Sequence, residues 1–498
     1  MTQKKVFYIT IHLLLCFLAI AIVPASVYLI NVPNHITPVI CVLLMISLCL
    51  CFMKVVQKPM GRILLVLISV FAMVMSVLGN YSNPYWNSVY YKENVSLYSR
   101  SLDDELTKDD AIEDLGYAMK QLKKIHPACA KEIPEEVQQR YEKVLAEMNH
   151  TETISVCELN RKIESIFSVM RDGHSYVKFQ TEEPHYMRDV ERFRQKNCSL
   201  VALNGIELSD LLKQMEDLYS YEVESWQLMC MKNDLIKKEG LQYLGFDTDD
   251  GITYTYESKD GERIDATYDT DDFITYDEYV VYNQLEENAS QETPFVYYEI
   301  DAEKDVAILT LDSCKFNQVY RDCLKNMFTE IKESGIHNVA VDLRANGGGD
   351  SRVANEFFRY LNIGTWEECT YEWRFGWFWY RSGNITIQNQ KYSDLTFNGN
   401  VYILTSTNSF SSSMLFAQYV KDNKLGMIVG EAPGNTPNGY GDITLFLLPN
   451  SRLLLQLSTK QFFRIDQDNP SRLVDPDIPC KSGDAINILY QTIAELDI

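Results

Sequence analysis

The first 80 residues contain no aspartate or glutamate, although they contain five lysine or arginine residues. This segment therefore carries a charge of +5, and since the whole chain carries −23, the remaining 418 residues carry −28. Such an acidic body repels phosphate backbones, and it has no basic stripe that could collect nucleic acid. We therefore expect no nucleic-acid partner, and we interpret the negative charge as that of a soluble surface.

Cysteine pairs with the spacing of a metal site are also missing. Of the 12 cysteines, four lie in the apolar N-terminal region, and the others form no Cys-x-x-Cys pair. The sequence therefore predicts no zinc site. The eight cysteines outside that region permit disulfides in an oxidising compartment without requiring them.

Acidic and basic side chains are absent from three long apolar runs near the N-terminus. Each run approaches the ~20 residues that a helix needs to cross a bilayer, and the third is the marginal one. A cleaved signal peptide is the alternative for the first run, but its apolar stretch is long and two further runs follow it. The runs are Val6–Val32, Ile36–Met53 and Ile63–Leu78, the first two being separated by Asn31–His35.

The basic residues that flank these runs predict an orientation. Lys4 and Lys5 precede the first run, and Lys54, Lys58 and Arg62 lie between the second and the third. Because positive residues stay on the cytoplasmic side, the N-terminus is expected in the cytoplasm. Three crossings by residues 6–79 then place the large C-terminal part outside a plasma membrane; if the third run failed to cross, that part would be cytoplasmic.

The rest of the chain changes character along its length, which predicts an α/β protein with three parts after the membrane anchor. Helical spacing of apolar residues dominates 103–170, whereas 198–290 mixes hairpin and helix signals. From Val306 onward, apolar strands alternate with amphipathic helices, which indicates a mostly parallel sheet covered on both faces. The predicted parts are a membrane anchor at 1–80, a helical part at 81–180, a mixed region at 181–294 and an α/β core at 295–498.

Two loops of the predicted core follow strand ends, where ligands bind in such sheets. The first is Arg344–Asp350, whose three successive glycines permit close backbone approach. A phosphate cradle is one interpretation, but no Gly-Lys-Ser/Thr follows, and a plain turn is the commoner case. The second loop is Thr405–Ser413, which is rich in hydroxyl residues at a predicted helix start. Such residues usually cap helices, yet a serine there also lies beside unpaired N–H groups that favour acyl transfer.

A third candidate, Asp172-Gly173-His174, lies far upstream. Of the seven histidines, His174 alone stands between a glycine and a strand-like run. A lone histidine is more often structural than catalytic, but a serine nucleophile needs a base that titrates near neutral pH.

Together these three loops resemble the tail-specific, or C-terminal processing, serine peptidase family in its tricorn-core branch. The matching segments are Asp172-Gly173-His174, Val341–Gly348, and Phe410–Ser413 with Gly430-Glu431 about twenty residues later. The resemblance covers about residues 105–180 and 295–480. It implies a core like the crotonase/ClpP-like superhelix and a PDZ-like module in the mixed region.

Carried over by position, the resemblance implies Ser411 as nucleophile and His174 as its base. The N–H groups of Gly348 and Ser412, with Gly347 beside them, correspond to the oxyanion hole. No lysine follows Glu431 closely, so the serine–histidine type is favoured over a serine–lysine dyad, with Lys460 an outside candidate. The glutamate that orients the histidine in this family has no counterpart between Glu431 and Glu495; Asp468, or else Asp466, is the substitute.

The resemblance therefore predicts a membrane-anchored extracellular serine endopeptidase that acts on protein or peptide substrates without a metal or organic cofactor. The alternative is a catalytically inactive relative that binds peptides as a membrane-bound sensor or scaffold. The missing glutamate favours that alternative, whereas the joint presence of the serine, the histidine and the glycine loop favours the enzyme.

Overall fold

The computed structural model describes residues 3–28, 36–82, 85, 87–89, 95–196, 198–283, 294–375 and 378–496. Three long apolar helices open the chain, and each contains a window long and apolar enough to cross a membrane. The expected apolar helices are confirmed, whereas the break at Asn31–His35 lies outside the described residues. The helices are α1 (Gln3–Tyr28), α2 (Ile36–Lys54) and α3 (Pro59–Ser82).

One polar cluster joins these three helices. His12 of α1 is fully buried, and its Nδ1 lies 3.2 Å from Ser47 Oγ of α2. Its Nε2 lies 2.9 Å from Ser69 Oγ of α3. Because polar groups buried among apolar helices need internal partners, this cluster favours one arrangement of the three helices.

The helical part that follows packs around its own apolar core. Ser155 and Thr107 cap two of its helices by accepting backbone N–H groups, as expected at helix N-termini. Pro127 ends the first long helix and begins a short one. The elements are β1 (Glu105–Thr107), α4 (Lys108–Ile125), α5 (Pro127–Lys131), α6 (Glu135–Met148), β2 (Thr153–Ser155), α7 (Val156–Phe167) and β3 (Tyr176–Lys178).

The middle region forms a separate apolar core around a four-stranded antiparallel sheet. Two of its strands form a hairpin around Asp260-Gly261, as the hairpin signals of this region predict, and the PDZ-like identity of the region stays a prediction. The strands are β4 (His185–Met187), β5 (Ser199–Leu203), β6 (Ile206–Glu207), β7 (Ile252–Glu257), β8 (Arg263–Tyr268) and β9 (Phe273–Thr275). The helices are α8 (Val190–Gln195), α9 (Leu208–Gln214), α10 (Glu224–Leu235), α11 (Lys238–Leu244) and α12 (Tyr276–Tyr282).

The C-terminal core is built on a six-stranded sheet in which only the first strand is antiparallel to its neighbour. The sheet consists of β10 (Val296–Asp301), β11 (Val306–Leu311), β12 (Asn338–Asp342), β17 (Asn400–Thr405), β18 (Met427–Gly430) and β21 (Ile478–Pro479), in that order. Helices α13 (Gln318–Ser334), α14 (Arg352–Phe358) and α15 (Ser412–Asp422) cover one face, and α16 (Ala485–Leu496) covers the other. The mostly parallel sheet covered on both faces is confirmed.

A second sheet connects the core to the helical part. Strand β3 pairs with β20 (Leu454–Phe463), so the segment that precedes β3 is brought to the core from the distant helical part. The aromatic-rich stretch after Cys369 supplies two strands, although residues 376 and 377 lie outside the described residues. Besides β3 and β20, this sheet contains β14 (Thr370–Phe375), β15 (Phe378–Arg381) and β19 (Tyr440–Leu447), whereas β13 (Thr365–Glu368) and β16 (Ile385–Gln388) pair only with each other.

Candidate active site

Ser411 lies in the turn between β17 and α15 with an unusual backbone conformation. Its φ is 58° and its ψ is −122°, values that residues other than glycine rarely adopt. Its N–H donates to Asn435 Oδ1 at 2.8 Å, which helps to hold the turn. The side chain is half-exposed, and Ser411 Oγ makes no hydrogen bond with the described residues. The hydroxyl is therefore available for chemistry.

The two neighbouring serines that could compete with Ser411 have structural partners. Ser409 is buried, accepts the Ser406 N–H at 3.0 Å and donates its hydroxyl to Leu343 O at 2.8 Å. Ser412 Oγ donates to Gly349 O at 2.7 Å. Both hydroxyls tie this turn to the glycine-rich loop.

The glycine-rich loop after β12 touches the serine turn. Gly348 has a φ of 102°, and a Cβ at this position would lie 2.7 Å from both Phe410 O and Ser411 Cβ. Only glycine fits there, since a methyl group would collide with backbone. The same position is 3.1 Å from Ser412 N, so the two predicted oxyanion-hole residues are neighbours. However, Gly348 N–H donates to Asn346 Oδ1 at 2.8 Å, whereas Gly347 is exposed.

His174 lies beside the serine turn because β3 pairs with β20. Its N–H donates to Asp172 Oδ1 at 2.9 Å, and its carbonyl accepts from Gln456 Nε2 at 2.9 Å. The imidazole is only 6% exposed and packs on the ring of Phe410, with centroids 4.5 Å apart. Neither ring nitrogen makes a hydrogen bond with the described residues. The base is thus placed against the residue that precedes Ser411, but it is not bonded to the Ser411 hydroxyl.

Phe410 is held on its other side by an aromatic residue of the middle region. The ring of Trp226 stacks on that of Phe410 at 3.9 Å with an angle of 16°. Phe410 therefore lies between Trp226 and His174.

Among the described residues, Asp172 supplies the carboxylate that pairs with the His174 ring. Asp172 Oδ1 is 3.8 Å from His174 Nδ1. Its Oδ2 accepts from Ser458 Oγ at 2.7 Å and lies 3.1 Å from His126 Nε2. Burial raises the pKa of Asp172, but the hydrogen bond and charge of His126 and the charge of His174 outweigh it and hold the pKa at about 2. Asp172 is therefore ionised at neutral pH.

Burial also sets the protonation of His174. It lowers the pKa of His174 below its ordinary value, and this effect outweighs the charges of Asp172 and Asp442, which raise it. The imidazole is therefore neutral at pH 7 and can accept a proton.

The structure does not bring the predicted orienting acid to the histidine. Asp468 and Asp466 are exposed, and neither forms a hydrogen bond or ion pair with His174 in the described part of the chain. Lys460 pairs instead with Asp442, at 2.5 Å.

Two residues of the site carry no signal in the sequence. Asn435, which accepts the Ser411 N–H, lies in a turn rich in glycine and proline, where an asparagine is expected for local reasons. Glu222 lies in the middle region and reaches the site only through the tertiary fold. Its Oε2 accepts from both Thr436 N at 2.7 Å and Thr436 Oγ1 at 2.5 Å.

Asp172, His174 and Glu222 form the one group of three metal-ligand side chains found among the described residues, with ligand atoms within 4.8 Å of one another. Asp172 already accepts three hydrogen bonds from His174, His126 and Ser458, and Glu222 accepts two from Thr436. These bonds already engage both carboxyl groups, so we interpret the group as a hydrogen-bonded cluster.

Known proteins are similar to this chain in one family model and in fold. Residues 305–480 match the model of peptidase family S41. No curated protein sequence matches the chain. The structure of mature CPAF is similar with a TM-score of 0.57 at 12% identity, over 78% of this chain and 96% of that one. Mature CPAF complexed with lactacystin is similar with a TM-score of 0.56 at 10% identity, over 78% and 97% of the two chains. At such identities the likeness is one of fold, and it extends well beyond residues 305–480.

Proposed function

Residues 305–480 belong to peptidase family S41, and from this premise we propose that the chain is a membrane-anchored serine endopeptidase that attacks with Ser411. Members of this family are serine peptidases, so hydrolysis of peptide bonds is the activity that the membership supports. Our proposal adds three points to this activity: the identity of the catalytic residues, cleavage within the chain of a substrate, and the location outside the cell.

The observation that carries the proposal is the meeting of His174 with the serine turn. The two segments are more than 230 residues apart in the chain, yet the imidazole packs on Phe410, the residue directly before Ser411. A neutral histidine, an unbonded serine hydroxyl and the first N–H groups of a helix are the groups that acyl transfer requires.

In the proposed reaction, His174 accepts the proton of Ser411 while the hydroxyl oxygen attacks the carbonyl carbon of a peptide bond. Backbone N–H groups of Gly348 and Ser412 stabilise the oxyanion, and the imidazolium then protonates the departing amine. Water then attacks the acyl-enzyme while His174 accepts its proton, and the imidazolium returns a proton to Ser411. Neither a metal nor an organic cofactor takes part in this scheme.

Two local movements are needed before this reaction can start. The His174 ring must turn from Phe410 toward Ser411 Oγ, and Gly348 N–H must leave Asn346 Oδ1. Catalytic hydrogen bonds are often long or absent without substrate and form in the complex. Substrate binding would supply both movements.

A cavity of about 500 Å³ lies next to these groups and is suited to part of a peptide. Gly173 of the His174 loop and Trp226 line it, and Tyr176 and Tyr219 contribute aromatic walls. Pockets of this size with mainly apolar walls usually accept apolar groups. We propose that it receives a side chain of the substrate.

The proposal is tested by labelling the full-length chain in detergent with a fluorophosphonate serine probe. We expect labelling that Ser411→Ala and His174→Ala abolish. The exposed residues Ser393 and His337 provide matched controls, and Ser393→Ala and His337→Ala should label normally. Labelling that survives Ser411→Ala would contradict the proposed nucleophile.

The location is tested with the same chemistry in cells. A membrane-impermeant form of the probe should label intact cells as well as lysed cells if the body faces outward, as the basic residues near α1 and between α2 and α3 predict. Labelling only after lysis would contradict this orientation.

An inactive peptide-binding protein is the second candidate. The absence of a hydrogen bond between His174 and Ser411 among the described residues favours it, as does the bond of Gly348 N–H to Asn346. A wild-type chain that is folded but never labelled would support this candidate.

A further inference from the structure

Glu222 connects the two catalytic segments although it belongs to neither. It lies in the middle region, two residues before α10, and its side chain is only 9% exposed. Its Oε2 accepts two hydrogen bonds from Thr436, from the backbone N–H and from the hydroxyl. The turn also wraps closely around the carboxyl group, because a Cβ on Gly439 would lie 2.8 Å from the same oxygen.

The turn that Glu222 holds is the one that supports the nucleophile. Asn435, the neighbour of Thr436, accepts the Ser411 N–H at 2.8 Å. On its other side, Glu222 approaches the His174 loop, where one oxygen or nitrogen from each of Glu222, Asp172 and His174 lies within 4.8 Å of the others. A single buried side chain of the middle region therefore touches both the serine support and the histidine loop.

We propose that Glu222 is a positioning residue through which the middle region aligns the His174 loop with the turn that holds Ser411, and that its uncharged form does so. This inference rests on the proposed peptidase function. Among the described residues no lysine or arginine pairs with Glu222, so a second negative charge beside the ionised Asp172 would be buried unpaired, which is costly. Ionisation of Glu222 is therefore expected to push the two loops apart.

The surroundings of Glu222 favour the uncharged form at neutral pH. Burial and the charge of Asp172 raise its pKa to about 8, although the Thr436 hydrogen bonds and the nearby Gly173 N–H lower it. The other titratable groups that face this cluster are His126, His174, Tyr440 and Asp442, and Lys460 is paired with Asp442. Burial raises the pKa of Tyr440 to about 12, so this residue stays neutral over the relevant range.

The first measurement uses the rate of fluorophosphonate labelling of the full-length chain between pH 6 and pH 9.5. If only protonated Glu222 is competent, the rate should fall about tenfold between pH 7 and pH 9, because about a tenth of a group with a pKa of about 8 is protonated at pH 9. Glu222→Gln keeps the shape and cannot ionise, so its rate should stay level to pH 9. The exposed neighbour Glu224 gives the matched control, and Glu224→Gln should follow the wild type.

The second measurement does not need activity. The chain has seven histidines, so the ring nitrogens of His174 can be followed by NMR in protein labelled at histidine and assigned with His174→Ala. The wild type should show a change in the His174 signals near pH 8 that is absent in Glu222→Gln.

The two readouts separate the possible failures. If the NMR change is present in the wild type and absent in Glu222→Gln, but no labelling occurs at any pH, the peptidase proposal fails and the coupling of Glu222 to His174 stands. If neither the NMR signals nor the labelling rate of the wild type change near pH 8, the inference is overturned. This second outcome is measured on the wild type alone and therefore does not depend on whether a variant folds.

Discussion

The backbone of Ser411 stores strain that a smaller side chain would release. At φ 58° and ψ −122°, a residue with a Cβ destabilises the fold by about 1–3 kcal/mol. Glycine instead destabilises it by ~0.5–1 kcal/mol, because it loses more conformational freedom on folding than other residues. The strain is the larger effect, so Ser411→Gly should be more stable than Ser411→Ala by about 1 kcal/mol. Chemical denaturation of both variants measures this difference.

The same pair of changes at Ser393 is the control for that prediction. Ser393 begins a short 3-10 helix and has no positive φ, so glycine there should be less stable than alanine. If the glycine variant were less stable than the alanine variant at Ser411 as well as at Ser393, the strain at Ser411 would be disproved.

Gly348 is the residue at which the backbone of the glycine loop meets the serine turn. In Gly348→Ala the new methyl group would lie 2.7 Å from Phe410 O and Ser411 Cβ, and the loop would have to withdraw. If Gly348 N–H stabilises the oxyanion, labelling of Ser411 should slow about 100-fold or more. A matched control is Gly364→Ala, since no atom lies within 4 Å of a Cβ there and its φ is not positive. Normal labelling of Gly348→Ala would remove this loop from the proposed site.

At the scale of elements, α7 holds β3 in place through one buried carboxyl group. Glu164 Oε2 accepts the Val177 N–H at 2.7 Å, and Oε1 accepts the Ser220 hydroxyl at 2.8 Å. Glu164 thereby joins a helix of the N-terminal part, the strand that follows His174 and the middle region. Burial raises the pKa of Glu164 to about 8, and this effect outweighs its hydrogen bonds.

This raised pKa predicts how the stability of the fold changes with pH. The folded chain keeps the proton of Glu164 up to pH of about 8, whereas the unfolded chain loses it near pH 4.5. The free energy of unfolding therefore falls as the pH rises between these values, by about 1.4 kcal/mol per pH unit at most, and levels off above them. Glu164→Gln should reduce this fall, as measured by denaturation at pH 5 and pH 8.

The control for this change lies in the same helix. Glu158 is exposed in the first turn of α7, and Glu158→Gln should leave the pH dependence as in the wild type. If Glu164→Gln lost as much stability between pH 5 and pH 8 as the wild type, the burial of an uncharged Glu164 would be disproved.

At the scale of the whole molecule, the three apolar N-terminal helices and the body have separate apolar cores. The four clusters of buried apolar side chains in the body include no residue before Tyr85, and the helices form a small cluster of their own. Because the part from Tyr81 onward carries −28, it should also repel its copies and stay soluble.

A chain that starts at Tyr81 is therefore expected to be monodisperse without detergent. Its Tm should lie within about 2–4 °C of that of the full-length chain in detergent, the shift that ~1 kcal/mol produces in a large domain. Calorimetry and light scattering measure both properties. Aggregation, or a much lower Tm, would show that α1–α3 contribute to the fold of the body.

How far each feature could be predicted depends on whether its signal is local. Strands β11, β12 and β17 are uninterrupted apolar runs, and the hairpin β7–β8 surrounds a turn that contains glycine, so periodicity and turn residues located them. The loops after β12 and β17 meet because the carboxyl ends of neighbouring parallel strands share one edge of the sheet. Asp468, by contrast, was selected by position along the chain, and the structure leaves it exposed.

By itself, the sequence determined the three apolar helices, the acidic body, the α/β core and the segments that contain Ser411, Gly348 and His174, because each depends on residues close together in the chain. Only the tertiary structure decided that Asp172 and Glu222 are the carboxyl groups beside His174, and that this ring packs on Phe410, the residue before Ser411. The pairing of β3 with β20 and the packing of the middle region bring those groups together. Contacts between distant segments arise from the burial of whole faces, so no local pattern of residues can specify them.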